Sequence, residues 1–277
     1  KKPPITPGYD MVGIVDKLGA EVTGFKEGQK VAELTIIGAY SEYIILPANQ
    51  LVALPEDIDA VDAVAMILSY VTAYQMLTRS AKVKTGSKIL VHGAGGAVGS
   101  ALLQIGAILK LKMYGTASAD QHDFLKELDC YPIDYKSEDF VQVVKKLEPN
   151  GLDAVFDPFG RDHFKRSIKT LNKKGKLVAF GAYNAKTQMD LIKSFLRVQI
   201  WNFTPWMPST NFYSIGSWHK KHHDWFESDL KKLFVLLSEN KLKPLVSKTI
   251  KLEEVVEAHE QIEREGLKGK LIILMNK

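Results

Sequence analysis

Cysteine is almost missing from this chain: Cys130 stands alone among 277 residues. One thiol cannot close an intramolecular disulfide, and it cannot furnish the four-thiolate cage of a structural zinc. A reducing, cytoplasmic setting is the expectation. No apolar run reaches the roughly 18 residues of a membrane span, and Lys1-Lys2-Pro3-Pro4-Ile5 has neither an apolar signal core nor a small-residue cleavage site. Membrane insertion is therefore not expected. Internal repeats and low-complexity linkers are also lacking. Charge of one sign is not in large excess, with 37 Lys and Arg against 32 Asp and Glu. The lysines are scattered except in His219-Lys220-Lys221-His222-His223, and no recognition motif accompanies them, so nucleic acid is not the expected partner. Those histidines have no cysteine or acidic cluster beside them, which reads as a solvated loop and no metal site.

The residues that are present, 45% hydrophobic and 25% charged, suit an enzyme with a sizeable core and two domains. Up to residue 54 the pattern is short strands (11–18, 30–34, 40–47 and 51–54) between glycine turns, a β-rich, barrel-like segment. From residue 86 short buried strands alternate with amphipathic helices, the signature of a parallel, doubly wound sheet. Strands are predicted at 88–92, 112–116, 131–134, 154–157, 176–181 and 197–203. Helices are predicted at 98–109, 120–128, 139–146 and 162–171, the third capped by Ser137. An aromatic loop over 206–218, a helix over 225–240, and a final strand, helix and strand follow. Only about four short strands precede residue 66, fewer than a closed barrel needs, so the barrel is expected to be incomplete at its N-terminal side.

The most informative stretch is Ile89-Leu90-Val91-His92-Gly93-Ala94-Gly95-Gly96-Ala97-Val98-Gly99, a buried strand that runs through glycines into a helix. Gly93 suits a positive-φ turn, Gly96 a close approach by a pyrophosphate, and Gly99 close packing of helix on strand. The amides of Ala97 and Val98 would then face phosphate oxygens at the helix N-terminus. The spacing GxxGxxG is a variant, and the bare glycine pattern is weak evidence without its strand-to-helix context. The tip of the next strand reads Gly115-Thr116-Ala117-Ser118-Ala119, without the carboxylate that binds the adenosine ribose of NAD. Ser118 as a hydrogen-bond donor, with His122 or Lys126 as a positive charge, favours NADPH over NADH. Asp120 lies close enough to weaken that preference, and its plain role is a helix cap.

Taken together, the residues resemble the medium-chain dehydrogenase/reductases, and among them the zinc-independent quinone oxidoreductase group that includes zeta-crystallin. The matching segments run in order: PGYDMVGIV from Pro7, GFKEGQKVA from Gly24, GAYSEYIILP, SYVTAYQML, VHGAGGAVGSALLQIGAILKL, VFDPFG, GKLVAFG and KGKLIIL. The stretch WNFTPWMPSTNFYSI resembles a branch near the vesicle amine transport protein. Zinc-dependent relatives carry Gly-His-Glu where this chain has Gly8-Tyr9-Asp10, so the resemblance implies chemistry without a catalytic zinc. Alcohol oxidation then lacks its Lewis acid, whereas quinones and α,β-unsaturated carbonyls are already electrophilic.

The implied fold is α/β: a Rossmann doubly wound parallel sheet over residues 67–225, with a partial GroES-like β-barrel catalytic domain from 1–66 and 226–277. The resemblance also assigns cofactor contacts. Thr72 falls near the nicotinamide amide, Tyr135 beside the adenosine phosphates, Phe180-Gly181-Ala182 over the nicotinamide, and Asn202 and Phe203 at the end of the last strand. Each has a plain packing alternative. No proton donor is identified; Tyr70, Tyr40 and Tyr43 are the visible tyrosines, with Tyr70 the weak candidate. Trp201, Phe203, Trp206, Phe212 and Tyr213 could line an apolar pocket or form a dimer surface. The expected activity is hydride transfer from NADPH to a quinone or enone. An enoyl-thioester or alkenal reductase, or a weakly catalytic NADPH-binding interaction protein, remains open. A homodimer is expected because the last strand would otherwise be a bare sheet edge.

Overall fold

A computed structural model describes residues 4–204, 207–265 and 268–275. Trp206 and the ends of the chain lie outside the described residues. The chain divides into two compact units, Lys1–Thr72 with Ile215–Lys277, and Ala73–Ser214.

In the first unit, strands β1 (Met11–Ile14), β2 (Lys30–Glu33) and β3 (Val52–Ala53) form an antiparallel sheet in that order. The strand expected over 40–47 is irregular backbone instead, with Tyr43 and Ile45 exposed and no ladder partner among the described residues. Alternating apolar residues need a neighbouring strand before they make one. Helix α1 (Ala60–Gln75) follows, N-capped in effect by Asp59, whose Oδ1 accepts from the amides of Val61 and Asp62. It continues as a π-helical turn, Met76–Ala81. Ala60–Ala81 is long and apolar enough to cross a membrane by length and hydropathy alone, and 67% of its apolar window is buried in the fold.

The second unit holds the sheet that the glycine motif belongs to. Strands β4 (Lys88–His92), β5 (Lys112–Ala117), β6 (Cys130–Asp134), β7 (Leu152–Asp157), β8 (Leu171–Ala179) and β9 (Ser209–Phe212) lie in the order β6-β5-β4-β7-β8-β9, all parallel. Near-continuous apolar runs such as Ile89-Leu90-Val91 are what a sheet covered on both faces requires. Helix α2 (Ala97–Ile108) links β4 to β5, and α3 (His122–Glu127) links β5 to β6. Helices α4 (Phe140–Leu147), α5 (Asp162–Ile168) and α6 (Gln188–Asn202) make the later crossovers. Leu90, Tyr114, Ile133, Phe140, Val155 and Phe164 are among the buried core, each such aliphatic or aromatic side chain stabilising by about 1.5–3 kcal/mol.

Two local expectations are overturned. Ser137 does not cap α4; its hydroxyl donates to Asp134 Oδ2, and Asp139 accepts from the Val141 amide at 2.8 Å as the true cap. The segment expected as the sixth strand, 197–203, is the end of α6. Its β-branched and aromatic residues suggested a strand, but Thr187 caps the helix and Ser194 and Val198 bury one face at a spacing of four. The sixth strand is β9, inside the segment expected to be a loop.

The chain then re-enters the first unit with α7 (Ile215–Lys221), α8 (His223–Ser238), β10 (Val246–Lys251), α9 (Val255–Glu265) and β11 (Lys270–Leu274), β10 and β11 pairing in parallel.

Candidate functional site

Successive crossovers run outward from β4 toward β6 and from β7 toward β9, so the carboxyl ends of β4 and β7 flank the switch point where such sheets bind ligands. The glycine loop sits there. Gly93 has φ +66°, and the Gly96 amide donates back to its carbonyl at 3.0 Å. A Cβ on Gly99 would lie 2.1 Å from Gly93 O and 2.7 Å from Ala94 Cα, so only glycine lets α2 approach the loop this closely. Gly96 differs. It is the N-cap of α2 with no side-chain cap, at an ordinary φ of −78°, and its Cβ would meet nothing nearer than 3.4 Å. The protein fold alone does not require glycine at 96. Gly95 carries the Gln121 side chain over it, a neighbour that the sequence reading missed. Ala97 and Val98 open the twelve-residue helix α2, with its first-turn amides at the positive end of the dipole.

At the end of β5, Ser118 donates its hydroxyl to Asp120 Oδ1, so this serine already has a local partner. His122 begins α3 with its Nε2 buried and without a hydrogen-bond partner among the described residues. Tyr135 follows β6 with an exposed ring, its amide near Ala117 O. Phe180, Gly181 and Ala182 follow β8, and a Cβ on Gly181 would fall 2.7 Å from Pro158 O; the loops after β7 and β8 are thus packed backbone to backbone. Thr72, in α1, is buried, with its Oγ1 lacking a hydrogen-bond partner among the described residues. Asn202 and Phe203 do not reach the carboxyl edge. Asn202 Oδ1 accepts from the Thr210 amide near the start of β9, and Phe203 is 86% exposed. The candidate aromatics also scatter. Trp201 packs on the core, Phe212 meets Phe195, and Tyr213 donates to Gln75 Oε1 at 2.8 Å. Tyr70 is buried and directs its hydroxyl at Lys243 O, 3.4 Å away.

Beneath the glycine loop lies a polar network that the sequence did not announce. Thr116 Oγ1 lies 3.0 Å from His92 Nδ1, His92 Nε2 lies 3.2 Å from Ser167 Oγ, and Ser167 donates to Asp157 Oδ2 at 2.6 Å. His163 Nδ1 reaches the same oxygen at 2.6 Å, and the Phe159 amide donates to Oδ1 at 2.8 Å. Because a carboxylate only accepts, Ser167 must receive from an N–H at His92 Nε2, and with the ring held neutral by burial Thr116 donates to Nδ1. Burial pushes the His92 pKa down to about 3 against the pull of Asp157. Burial would raise Asp157, but the hydrogen bond from His163 and the surrounding donors hold it below the usual carboxylate range. Beside this network opens a concavity of about 500 Å³ whose lining includes Arg161, Asp162, His163, Arg166 and Lys186, with Arg161 near Asp190 and Arg166 paired to Asp139. In the sequence Arg161 directly follows VFDPFG, and Arg166 lies five residues further on.

In the first unit, Asp10 accepts from the Leu68 amide at 3.0 Å and is ion-paired with Lys270, whose ammonium also donates to Val64 O. Tyr9 is exposed.

A family model described as zinc-binding dehydrogenase matches residues 130–273, and one described as alcohol dehydrogenase GroES-like domain matches residues 1–56. The chain belongs to the medium-chain dehydrogenase/reductase family. Within that family it is 30% identical to a synaptic vesicle membrane protein VAT-1 homolog of Danio rerio over 98% of this chain and 58% of that protein. It is 29% identical to a human quinone oxidoreductase over 98% of this chain and 80% of the relative. A quinone oxidoreductase structure from Pseudomonas syringae superposes with a TM-score of 0.85 at 27% identity, covering 98% of this chain and 82% of that one. The Rossmann-like sheet and the small antiparallel GroES-like sheet are those of this family's fold, and the chain spans less than two thirds of the length of the Danio rerio relative.

Proposed function

We propose that this chain binds NADPH at the carboxyl edge of the six-stranded sheet and reduces a small electrophilic acceptor, a quinone or an α,β-unsaturated carbonyl, without a catalytic zinc. Gly96 carries the reading: a helix N-cap where the protein tolerates a methyl group but a bound pyrophosphate would not. Two orphaned buried atoms, Thr72 Oγ1 and His122 Nε2, are consistent with ligand-facing groups. Lys186, together with Arg161 and Arg166 whose charges are partly met by Asp190 and Asp139, leaves positive charge at the same edge, which favours a phosphorylated dinucleotide. When bound, NADPH supplies the hydride. The glycine loop orients its phosphates, while Phe180, Gly181 and Ala182 are proposed to cover the nicotinamide.

Ser118 and Asp120 set the cofactor preference jointly. The serine hydroxyl neutralises part of the aspartate's acceptor capacity, so Asp120 competes poorly for a ribose and repels a 2′-phosphate less. The zinc-free reading is supported by Asp10, whose charge Lys270 already compensates, and by the exposed phenol at Tyr9, a poor zinc donor. No proton step is routed through Tyr70, since its hydroxyl lies against a backbone carbonyl. A homodimer through the free edge of β9 completes the proposal.

The test is a titration of NADPH against NADH followed by turnover with 9,10-phenanthrenequinone. Tighter NADPH binding and quinone-dependent oxidation that chelators leave intact support the reading. Equal affinities refute the cofactor preference, and turnover lost to a chelator refutes the zinc-free chemistry. Faster turnover of crotonyl thioesters than of quinones would reassign the acceptor to an enoyl thioester. Tight NADPH binding without turnover on any acceptor would make the chain a nucleotide-binding interaction protein.

A further inference from the structure

Polar side chains that pack into this fold mostly find a partner within the chain. The histidine run expected to be a solvated loop is structured: His219 closes α7, His223 opens α8, and His219 Nε2 meets Oε1 of the buried Glu33 at 3.0 Å. Gln121 is different. Its backbone is anchored, the amide donating to Ser118 O at 2.9 Å in the 3₁₀ turn Ala119–Gln121 after β5. Its half-buried carboxamide makes no hydrogen bond among the described residues, yet it is folded down onto the glycine loop.

A Cβ at Gly95 would overlap Oε1 of Gln121 outright, and the three atoms nearest to it all belong to that carboxamide, Nε2 lying at 3.2 Å. Gly95 is not among the positive-φ glycines, so its own backbone does not call for the residue type. What calls for glycine at 95 is the side chain of residue 121. The loop and the tip of β5 are held side by side, the Ala94 amide donating to Thr116 O at 3.0 Å and His92 standing in register with Thr116. A dinucleotide on such a sheet rests its pyrophosphate on the loop and its adenosine ribose between the loop and the tip of the second strand. Gln121 bridges those same two structures, and its carboxamide stands in the space that a ribose needs.

We propose that Gln121 gates the cofactor site: in the unliganded chain its carboxamide occupies the adenosine-ribose position, and a dinucleotide enters when that side chain swings away. This gate presupposes the reading of the glycine loop as a dinucleotide site. A carboxamide whose donors and acceptor bond to nothing in the chain loses only van der Waals contact on leaving, so its closed and open positions lie close in energy. The turn itself stays in place, because the bond to Ser118 O is made by the backbone. Only the open fraction binds, and the apparent affinity falls by that fraction. Ribose is common to NADPH and NADH, so the gate acts on both and is separate from the preference set by Ser118 and Asp120.

Stopped-flow mixing of the purified chain with NADPH, read by nicotinamide fluorescence, tests it. Gln121→Ala should speed association and tighten binding by about 5- to 20-fold, the gain for a parent that is open about 5–20% of the time, with dissociation unchanged within about twofold. Gln121→Met keeps the side-chain volume and should bind within about twofold of the parent. NADH should show the same relative gain in Gln121→Ala. Unchanged or slower association in Gln121→Ala, a gain in Gln121→Met equal to that in Gln121→Ala, or a gain confined to one dinucleotide overturns the gate while leaving the cofactor site in place. NADPH bound by neither parent nor variant overturns the cofactor reading and the gate with it. Urea unfolding verifies that each variant is folded.

Discussion

Replacing Gly96 by alanine separates what the fold needs from what a ligand needs. The added methyl would sit 3.4 Å from Gly93 O, ordinary contact, at a backbone conformation that alanine adopts freely. Alanine is a poorer N-cap than glycine by a few tenths of a kcal/mol up to about 1. It also lowers the entropy of the unfolded chain by about 0.4–1 kcal/mol, which works in the opposite direction. The expected change in stability is therefore within about 0.5 kcal/mol. A pyrophosphate resting against the loop would have to retreat by most of a methyl radius, losing hydrogen bonds to the first amides of α2. That loss should weaken NADPH binding by about 10- to 100-fold, or about 1.4–2.7 kcal/mol. Gly99→Ala is the comparison, because its methyl meets Gly93 O at 2.1 Å and must push α2 away. It should cost about 1–3 kcal/mol of stability whether or not cofactor is present. Fluorescence titration with NADPH, paired with urea unfolding of the unliganded protein, reads both quantities. A Gly96→Ala variant that is as stable as the parent and binds NADPH equally well would refute the placement of the pyrophosphate on this loop.

Three further outcomes follow from the polar clusters. His92 has a folded pKa of about 3 against an ordinary 6.5, so the stability it supports is complete above pH 6.5 and is lost as pH falls toward 3. The loss is about 1.4 kcal/mol per pH unit, hence about 2 kcal/mol between neutral pH and about pH 5; urea unfolding should show it, and His92→Asn should remove that component of the slope. Asp157→Asn turns an acceptor of three donors into a partial donor and should destabilise by about 3–5 kcal/mol in the same assay. At the other end of the sheet, burial would raise Glu148, yet hydrogen bonds from Lys112, Lys88 and Tyr114 bring it to about 2. Its contribution is thus intact above its ordinary pKa and fails only in strong acid. Glu148→Gln should cost about 1–3 kcal/mol at neutral pH, and a variant with an unchanged thermal midpoint would show that the cluster contributes nothing.

The doubly wound sheet was legible because its evidence is local: Lys88–His92 is an apolar strand bounded by glycine, and the expected range is the observed one. The 197–203 segment was misread because its composition favours a strand while its fate is decided by a helix that starts at the Thr187 cap ten residues upstream and by the burial of Val198 in the core of the sheet. The same cause explains the site. Glycines announce a phosphate loop from sequence alone, whereas Asp157, His163 and Ser167 meet His92 only once α5 folds back on β4 and β7, and no spacing rule links residues 92 and 167. His219 was misjudged for the same reason, since its partner Glu33 lies on the far side of the nucleotide-binding unit in sequence.

Charge accounting within the first unit then bears on where a cation belongs in this chain. At Gly8-Tyr9-Asp10 the carboxylate has a permanent ammonium partner in Lys270 and an amide donor from Leu68, so adding a divalent ion there would introduce repulsion between the metal and that lysine. At Glu33 the buried carboxylate meets His219 Nε2 at 3.0 Å, so a side chain can supply the cation there as well. A buried carboxylate without such a partner would cost several kcal/mol. Both carboxylates of this unit are therefore matched by side chains of the chain itself. Chelation should leave quinone turnover unchanged, and turnover abolished by a chelator would refute that expectation.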